Sequence, residues 1–333
     1  MEIDLYGITY SVDAVMKNGE RLYLDMAAEN IAWEENENEL AMRLNLTLRD
    51  VELEKGGRLA NKLALGTQMF LYSTWNGKKT EIFRGTVWKW ENAPYNDEQI
   101  VLTCYDRLYH LQKSKDNRYY AKGTMTRSIV SELLNDNGIA MSRFTAPNIG
   151  HEAFAFKGRT IASMITETLE KADENTKSKK SIIRATEGKA EIIPQGNNGT
   201  IYSFAVGENI ASASESFSMT DLVTRVIVVG KEDKETKPPI EATLTGATEF
   251  GMLQEIHAKG DATLQEARNA AQKILNERGK PQRRLSIRAP EFPAIRKGDR
   301  IHIKTDRITG YYYVKGISHN ATTAQMQMEV EAA

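Results

Sequence analysis

Leu40-Ala-Met-Arg-Leu-Asn-Leu-Thr-Leu48 is the stretch on which the fold class turns. Leu40, Met42, Leu44, Leu46 and Leu48 alternate with Ala41, Arg43, Asn45 and Thr47. A strand sends successive side chains to opposite faces, so this period sets five large apolar side chains on one face of a half-buried strand. Working outward, residues 69–75 and 82–90 are rich in aromatic and β-branched types, with Asn76-Gly77 between them as a hairpin turn. Residues 100–105 predict a further strand, closed by Asp106 as the cap of a short helix over 107–112. Strands with turns at such short spacing predict a small β-barrel or sandwich over residues 1–112.

The character then changes. Met125, Ile129, Leu133 and Leu134 fall at helical spacing over 124–137, and Gly138 supplies a left-handed stop. Ile161, Met164, Ile165 and Leu169 do the same over 160–172. The two segments match at Thr124/Thr160, Ile129/Ile165 and Leu133/Leu169, but any two amphipathic helices share a period, so this is no duplication. Two short strands, 182–185 and 190–193, flank Glu187-Gly188-Lys189 and complete a mixed middle region over 113–200.

Residues 201–333 return to strands. Residues 223–229 read as a central strand buried on both faces, and the charged, Pro-ended 231–239 as a loop. An inserted helix over 263–279 has Thr263 and Glu266 at capping-box spacing, with Ala267, Ala270, Ala271, Ile274 and Leu275 as its buried stripe. Strands over 285–288, 300–304, 311–317 and 325–330 finish the chain, one of them started by the turn Lys297-Gly298-Asp299. The expected class is α+β, mainly β, with two β-rich ends flanking a mixed α/β middle.

Composition narrows the function. The 333 residues carry 44 basic and 45 acidic side chains, which excludes a globally basic nucleic-acid binder. The balance is uneven: residues 1–110 hold 12 basic and 18 acidic groups, residues 231–333 hold 17 and 14. One cysteine, Cys104, excludes an internal disulfide and a cysteine zinc cage, and inside a strand pattern it reads as a small buried hydrophobe. Mean hydropathy is −0.49, no apolar run approaches the ~20 residues of a membrane span, and Met1-Glu-Ile-Asp4 does not resemble a signal peptide. A soluble protein of a reducing compartment is the expectation.

Catalytic motifs are missing. His110, His151, His257, His302 and His319 show no metal-ligand spacing, the Gly-Lys pairs lack the rest of a phosphate loop, and no serine lies in Gly-x-Ser-x-Gly. His319 reads as a structural hydrogen-bonding group. Two surface candidates remain. The acidic run holding Glu34, Glu35, Glu37 and Glu39 is either a solvated hairpin or a site for a cation or a basic partner. Tyr311, Tyr312 and Tyr313 set aromatics on both faces of one strand, one face for the core and one for an interface.

Longer stretches carry a family resemblance. They are Phe83-Arg-Gly-Thr-Val-Trp88, Leu102-Thr-Cys-Tyr-Asp-Arg-Leu-Tyr-His-Leu-Gln-Lys-Ser-Lys-Asp116, Tyr119-Tyr-Ala-Lys-Gly-Thr124, Asn137-Gly-Ile139 and Glu187-Gly-Lys-Ala-Glu-Ile192. In that order they resemble the XkdQ/YqbQ proteins of PBSX-type phage elements. Ile295-Arg-Lys-Gly-Asp-Arg-Ile301 and Gly310-Tyr-Tyr-Tyr-Val314, with His319, are similar to the wider late control D group of tail hub proteins. The resemblance runs from about residue 30 to the end.

What it implies is a structural baseplate hub, not an enzyme, of a contractile phage tail or a tail-like particle such as a tail-like bacteriocin. The implied hub is a homotrimer whose six barrels meet the sixfold tail tube protein on one face and a threefold spike protein on the other. Tape-measure and LysM-type baseplate proteins are further implied partners. A cofactor, a metal, a membrane and sequence-specific nucleic acid are not expected. Assembly in the bacterial host cytoplasm and residence in the particle follow from the same resemblance. Glu34, Glu35, Glu37, Glu39 and Tyr311, Tyr312, Tyr313 are the candidate interface residues. The rivals are a cell-wall-degrading or glycan-binding tail component, a one-barrel tube subunit, which a chain of 333 residues disfavours, and a soluble enzyme of unfamiliar site.

Overall fold

The computed structural model describes residues 7–54, 56–93, 96–231 and 237–333. The chain divides into two compact units, Met1–Ala213 with Ser286–Ala333, and Ser214–Leu285. The larger unit opens with β1 (Thr9–Val15), β2 (Arg21–Tyr23), β3 (Ala28–Glu35), β4 (Arg43–Arg49), β5 (Gln68–Trp75), β6 (Lys78–Ala93) and β7 (Asn96–Asp106). There follow α1 (Leu108–Lys113), β8 (Lys115–Tyr120), α2 (Thr126–Asp136), β9 (Met141–Phe144), β10 (Phe154–Thr160) and α3 (Ile161–Thr176). Next come β11 (Ser181–Thr186), β12 (Lys189–Pro194), β13 (Ser203–Ala205) and β14 (Ser212–Ser218). The smaller unit holds β15 (Arg225–Val229), β16 (Ile240–Thr245), β17 (Gln254–Ala258) and α4 (Leu264–Arg278). β18 (Gln282–Pro290), β19 (Arg300–Lys304), β20 (Thr309–Asn320) and β21 (Gln325–Ala332) end the chain.

The alternating stretch behaves as its period demands, with one change. Leu44, Leu46 and Leu48 are fully buried in β4, between β3 and β7, in one apolar core with Val12, Trp33, Met69, Ile100 and Leu102. The strand starts only at Arg43, because Leu40 and Ala41 turn into a different core, that of α1, α2 and α3. Asn76 and Gly77 both have positive φ, the geometry of a tight β5–β6 hairpin. A Cβ at Gly85 would lie 2.2 Å from the Tyr105 carbonyl oxygen, so only glycine lets β6 pass β7 there.

Strands from both chain ends join one sheet, in the order β14-β18-β21-β20-β3-β4-β7-β6-β5-β1-β2, with β19 on β20 and β13 on β19. Among the described residues its end strands do not pair with each other, so no closed barrel forms there, and strands from both segments expected to form barrels share this one sheet. Period-2 alternation reports that a strand has a buried face; it carries no information on whether the sheet closes.

The middle segment packs its three helices over small sheets β8–β10 and β9–β12–β11. Thr160 caps α3 by accepting from Ser163 N, and the helix runs to Thr176, one turn past the expected end, where Lys177 takes the left-handed conformation. In the smaller unit β15 is the centre of β16-β15-β17, and Val226 and Val228 pack against Ala267, Ala271 and Leu275 of α4. Thr263 and Glu266 form the capping box. The expected loop at 231–239 lies largely outside the described residues.

Candidate functional site

The acidic run borders one seam of the sheet, and the tyrosine run lies further along one of that seam's two strands. β3 and β20 pair over four positions, from Glu35↔Ile317 to Ala32↔Asn320, and there the amino-terminal strands meet the carboxy-terminal ones. The acidic run begins at the end of β3 and turns through 36–39 into the start of β4.

Its members have different surroundings. Glu34 pairs with Arg43 and accepts from Asn45 Nδ2 at 3.3 Å. Glu37 is exposed and lies 2.6 Å from Lys315 Nζ. Glu39 accepts from Asn36 Nδ2 at 3.3 Å, and its main-chain oxygen accepts from Lys297 Nζ. Glu35 is interior, only 3% exposed. It accepts from Arg296 Nη2 at 2.7 Å and Nε at 3.2 Å, and from the Lys297 main-chain N at 3.2 Å.

The network continues into the middle region. Arg296 Nη1 donates to Thr186 Oγ1 at 3.1 Å, and Arg184 Nη1 donates to Asp299 Oδ1 at 3.0 Å. Asp299 Oδ2 accepts from Arg296 N at 3.0 Å, which ties the turn at 296–299. Gly298 has φ +88, a conformation L side chains rarely adopt, and a Cβ on it would push aside the tip of Ile182 on β11, so the turn favours glycine. Burial alone would raise the Glu35 carboxyl; the charge and hydrogen bonds of Arg296, with the charges of Lys297 and Arg184, outweigh it and hold the group at about 2. Asp106, equally buried, accepts from Met42 N and Leu108 N. Its burial, with the charge of Glu35 added, prevails over those two bonds and the charge of Arg296 and pushes it up to about 7.

A second polar cluster crosses the same seam. His319 Nδ1 lies 2.8 Å from Glu291 Oε2, and its Nε2 lies 3.1 Å from the Ile295 carbonyl oxygen. Its ring stacks on Trp33 with centroids 4.7 Å apart, and Tyr10 donates to Glu291 Oε1 at 3.1 Å. The sequence marked His319 as a hydrogen-bonding group and 295–301 as a family stretch, but gave no sign that Glu291 meets His319 and Tyr10 or that Arg296 meets Glu35. Tyr10 and Glu291 carry no motif, and the 295–301 stretch does not name its partners in space.

The tyrosine run splits by parity. Tyr312 is 8% exposed and packs inward, whereas Tyr311 is 53% exposed, with the Arg300 guanidinium 4.9 Å from its ring centre. Tyr313 is half-buried, with Lys179 Nζ 5.9 Å from its ring. Between the acidic run, α3, β11 and β20 opens a cleft of about 230 Å³, lined by Leu40, Leu169, Lys180, Ile183, Lys315 and Glu331 among others. Lys315 lies between Glu37 and Glu331, so the cleft's wall is an ion-pair cluster. Among the described residues no group of three or more His, Cys, Asp or Glu is placed to hold a metal ion, and no helix is long and apolar enough to cross a membrane.

Comparison with known proteins places this arrangement. The family model described as YQBQ-like matches residues 31–333. The chain belongs to the YqbQ-like family. It is 25% identical over 262 residues to the uncharacterized protein YqbQ of Bacillus subtilis (strain 168), covering 74% of this chain and 78% of that one. In fold it is similar to the 43 kDa tail protein of prophage MuSo2 from Shewanella oneidensis, with TM-score 0.70, 11% identity and 98% of each chain covered. A tail protein from Neisseria meningitidis MC58 is similar too, with TM-score 0.65, 11% identity and 96% of each chain covered. The E. coli c3393 protein, a type VI secretion component described as structurally similar to bacteriophage T4 tail proteins, matches with TM-score 0.52 and 9% identity, over all of this chain and 77% of that one. The seam, the tyrosine strand and the 296–299 turn all fall inside the family's span.

Proposed function

We propose that this chain is a structural component of a phage tail or tail-like particle, and within it the baseplate hub that joins a sixfold tail tube to a threefold central spike. The observation that carries the reading is a shared fold along 98% of both chains with a prophage tail protein, in a chain of the YqbQ-like family. The mechanism is geometric. A homotrimer offers two β-rich segments per chain, one from each end of the sequence, and so presents six similar surfaces to a tube and three to a spike. The polar network binding β3, β11 and the 296–299 turn keeps those segments from shifting under load.

The same reading divides the chain by task into 1–112, 113–200 and 201–333, with the first and last facing the tube. Partners are then further copies of the chain, tail tube protein, spike protein, and tape-measure and LysM-type baseplate proteins. Assembly takes place in the host cytoplasm, and the product resides in a contractile tail or a tail-like bacteriocin. Glu34, Glu37 and Tyr311 are exposed or half-exposed and serve as interface residues; Glu35 and Tyr312 act by holding them in place.

Light scattering on the purified chain over a wide concentration range tests this. A mass near three times 37.5 kDa is expected, alone or after co-expression with a spike. A stable dimer overturns the hub.

A further inference from the structure

The smaller unit has two unlike sheet faces. Val226 and Val228 of β15 pack against Ala267, Ala271 and Leu275 of α4. Strand side chains alternate, so Arg225 and Ile227 point to the face away from that helix. Register sets Thr243 of β16 and Ile256 of β17 on either side of Ile227, and Gln254 beside Arg225. Ile227 at the centre is buried, but Ile240, opposite Val229, is 56% exposed, Met252 62% and Ile256 64%. Exposed apolar side chains gathered in one small unit mark a place where another surface packs. Arg225 is the charged group of this face, and among the described residues it has no counter-charge. Its Nη1 lies 3.1 Å from Met252 Sδ, a weak acceptor, and its Nε is buried without an acceptor. The carboxylates of β16 and β17 are taken by other cations, Glu241 by Lys259 at 2.7 Å and Glu255 by Arg278.

We propose that this face docks an acidic–apolar segment of another protein, with a carboxylate on Arg225 and an apolar side chain on Ile227 and Ile256. A guanidinium is always charged, and its planar fork matches a carboxylate through two hydrogen bonds. Here that capacity is unused. A purely apolar partner would bury the cation without neutralising it, and a purely acidic one would leave the isoleucines in water. An extended segment carries the two groups at alternate positions, about 7 Å apart, which is close to the diagonal from Arg225 to Ile256. The same face of a second copy is a poor occupant, because it sets Arg225 against Arg225.

Methyl NMR of the full chain, labelled at isoleucine, valine and methionine, reads the face through Ile240, Met252 and Ile256. The probes are the peptide acetyl-Val-Glu-Ile-amide and its twin with Gln for Glu, each titrated to about 10 mM because so small a contact gives millimolar affinity. Saturable shifts at Met252 and Ile256 are expected with the Glu peptide, and binding at least about tenfold weaker with the Gln peptide, the difference a charge-assisted hydrogen bond makes. Arg225→Gln is expected to bring the two peptides level, while unchanged Val226 and Val228 signals show its sheet intact. Equal binding of the two peptides by the wild type, or no saturable shift from either, overturns the proposal. So does a Glu preference that survives Arg225→Gln. Shifts at Met252 and Ile256 that follow the concentration of the chain without peptide overturn it as well, since a second copy then occupies the face. The comparison of the two peptides on the wild type stands even where Arg225→Gln folds poorly.

Discussion

The acidic run and the tyrosine strand lie on partner strands, β3 with its following turn and β20, yet each is sorted by a different rule. In the tyrosine strand parity alone decides: Tyr312 is inside, Tyr311 outside, as the pleat requires. In the acidic run parity decides that Glu35 points inward, and charge must then be neutralised there by Arg296 and Lys297 from the far end of the chain. An apolar pattern thus contains its own solution, whereas an inward carboxylate needs a partner that local sequence does not name. Two buried carboxylates sharpen the lesson. Glu35 has an arginine and is held at about 2; Asp106 has two backbone N–H groups and is pushed up to about 7.

The largest test of this contrast is Glu35→Ala. It leaves the interior Arg296 guanidinium without its carboxylate, keeping only the side-chain bond to Thr186, and an expected loss of about 3 kcal/mol should appear in urea unfolding. Tyr312→Ala empties an apolar site and is expected to cost about 3 kcal/mol by the same measurement. If it costs as little as Tyr311→Ala, parity is not what sorts the strand.

Acid and alkali separate the two carboxylates. Glu35 lies below its ordinary value of 4.5, so its contribution is present above 4.5 and lost as pH falls through about 2. Asp106 lies above its ordinary 3.8, so its contribution is present below 3.8 and lost as pH rises through about 7. Thermal unfolding from pH 3 to 8 is therefore expected to show a decline that Asp106→Asn flattens. An unchanged slope in that variant would remove Asp106 as its source.

The smallest effects on folding are expected from Glu37→Gln and Tyr311→Ala. Exposed pairs and rings contribute within about 1 kcal/mol. Both variants should melt close to the wild type, and if the chain forms the proposed trimer through these residues, the mass in light scattering falls. A full trimer in both would take them out of the contact surface.

The class of the fold was legible because strands and helices announce themselves by period. Leu44, Leu46 and Leu48, the Asn76-Gly77 turn and the Thr263–Glu266 capping box are each local statements, made by residues within a few positions of one another. Whether such strands close into small barrels is a long-range property that their period does not carry.

By itself the sequence determined that the chain is mainly β with helices in the middle and near the end, which side of β4 is buried, and, through the order of its motifs, the family. Only the tertiary structure decided that β3 meets β20, that Glu35 lies against Arg296, and that His319 stands between Trp33 and Glu291. The physical reason is one of range. Alternation and capping act over a few residues and are written where they act. A buried charge is satisfied by whichever opposite group the fold brings within about 3 Å, and that group can lie anywhere along the chain.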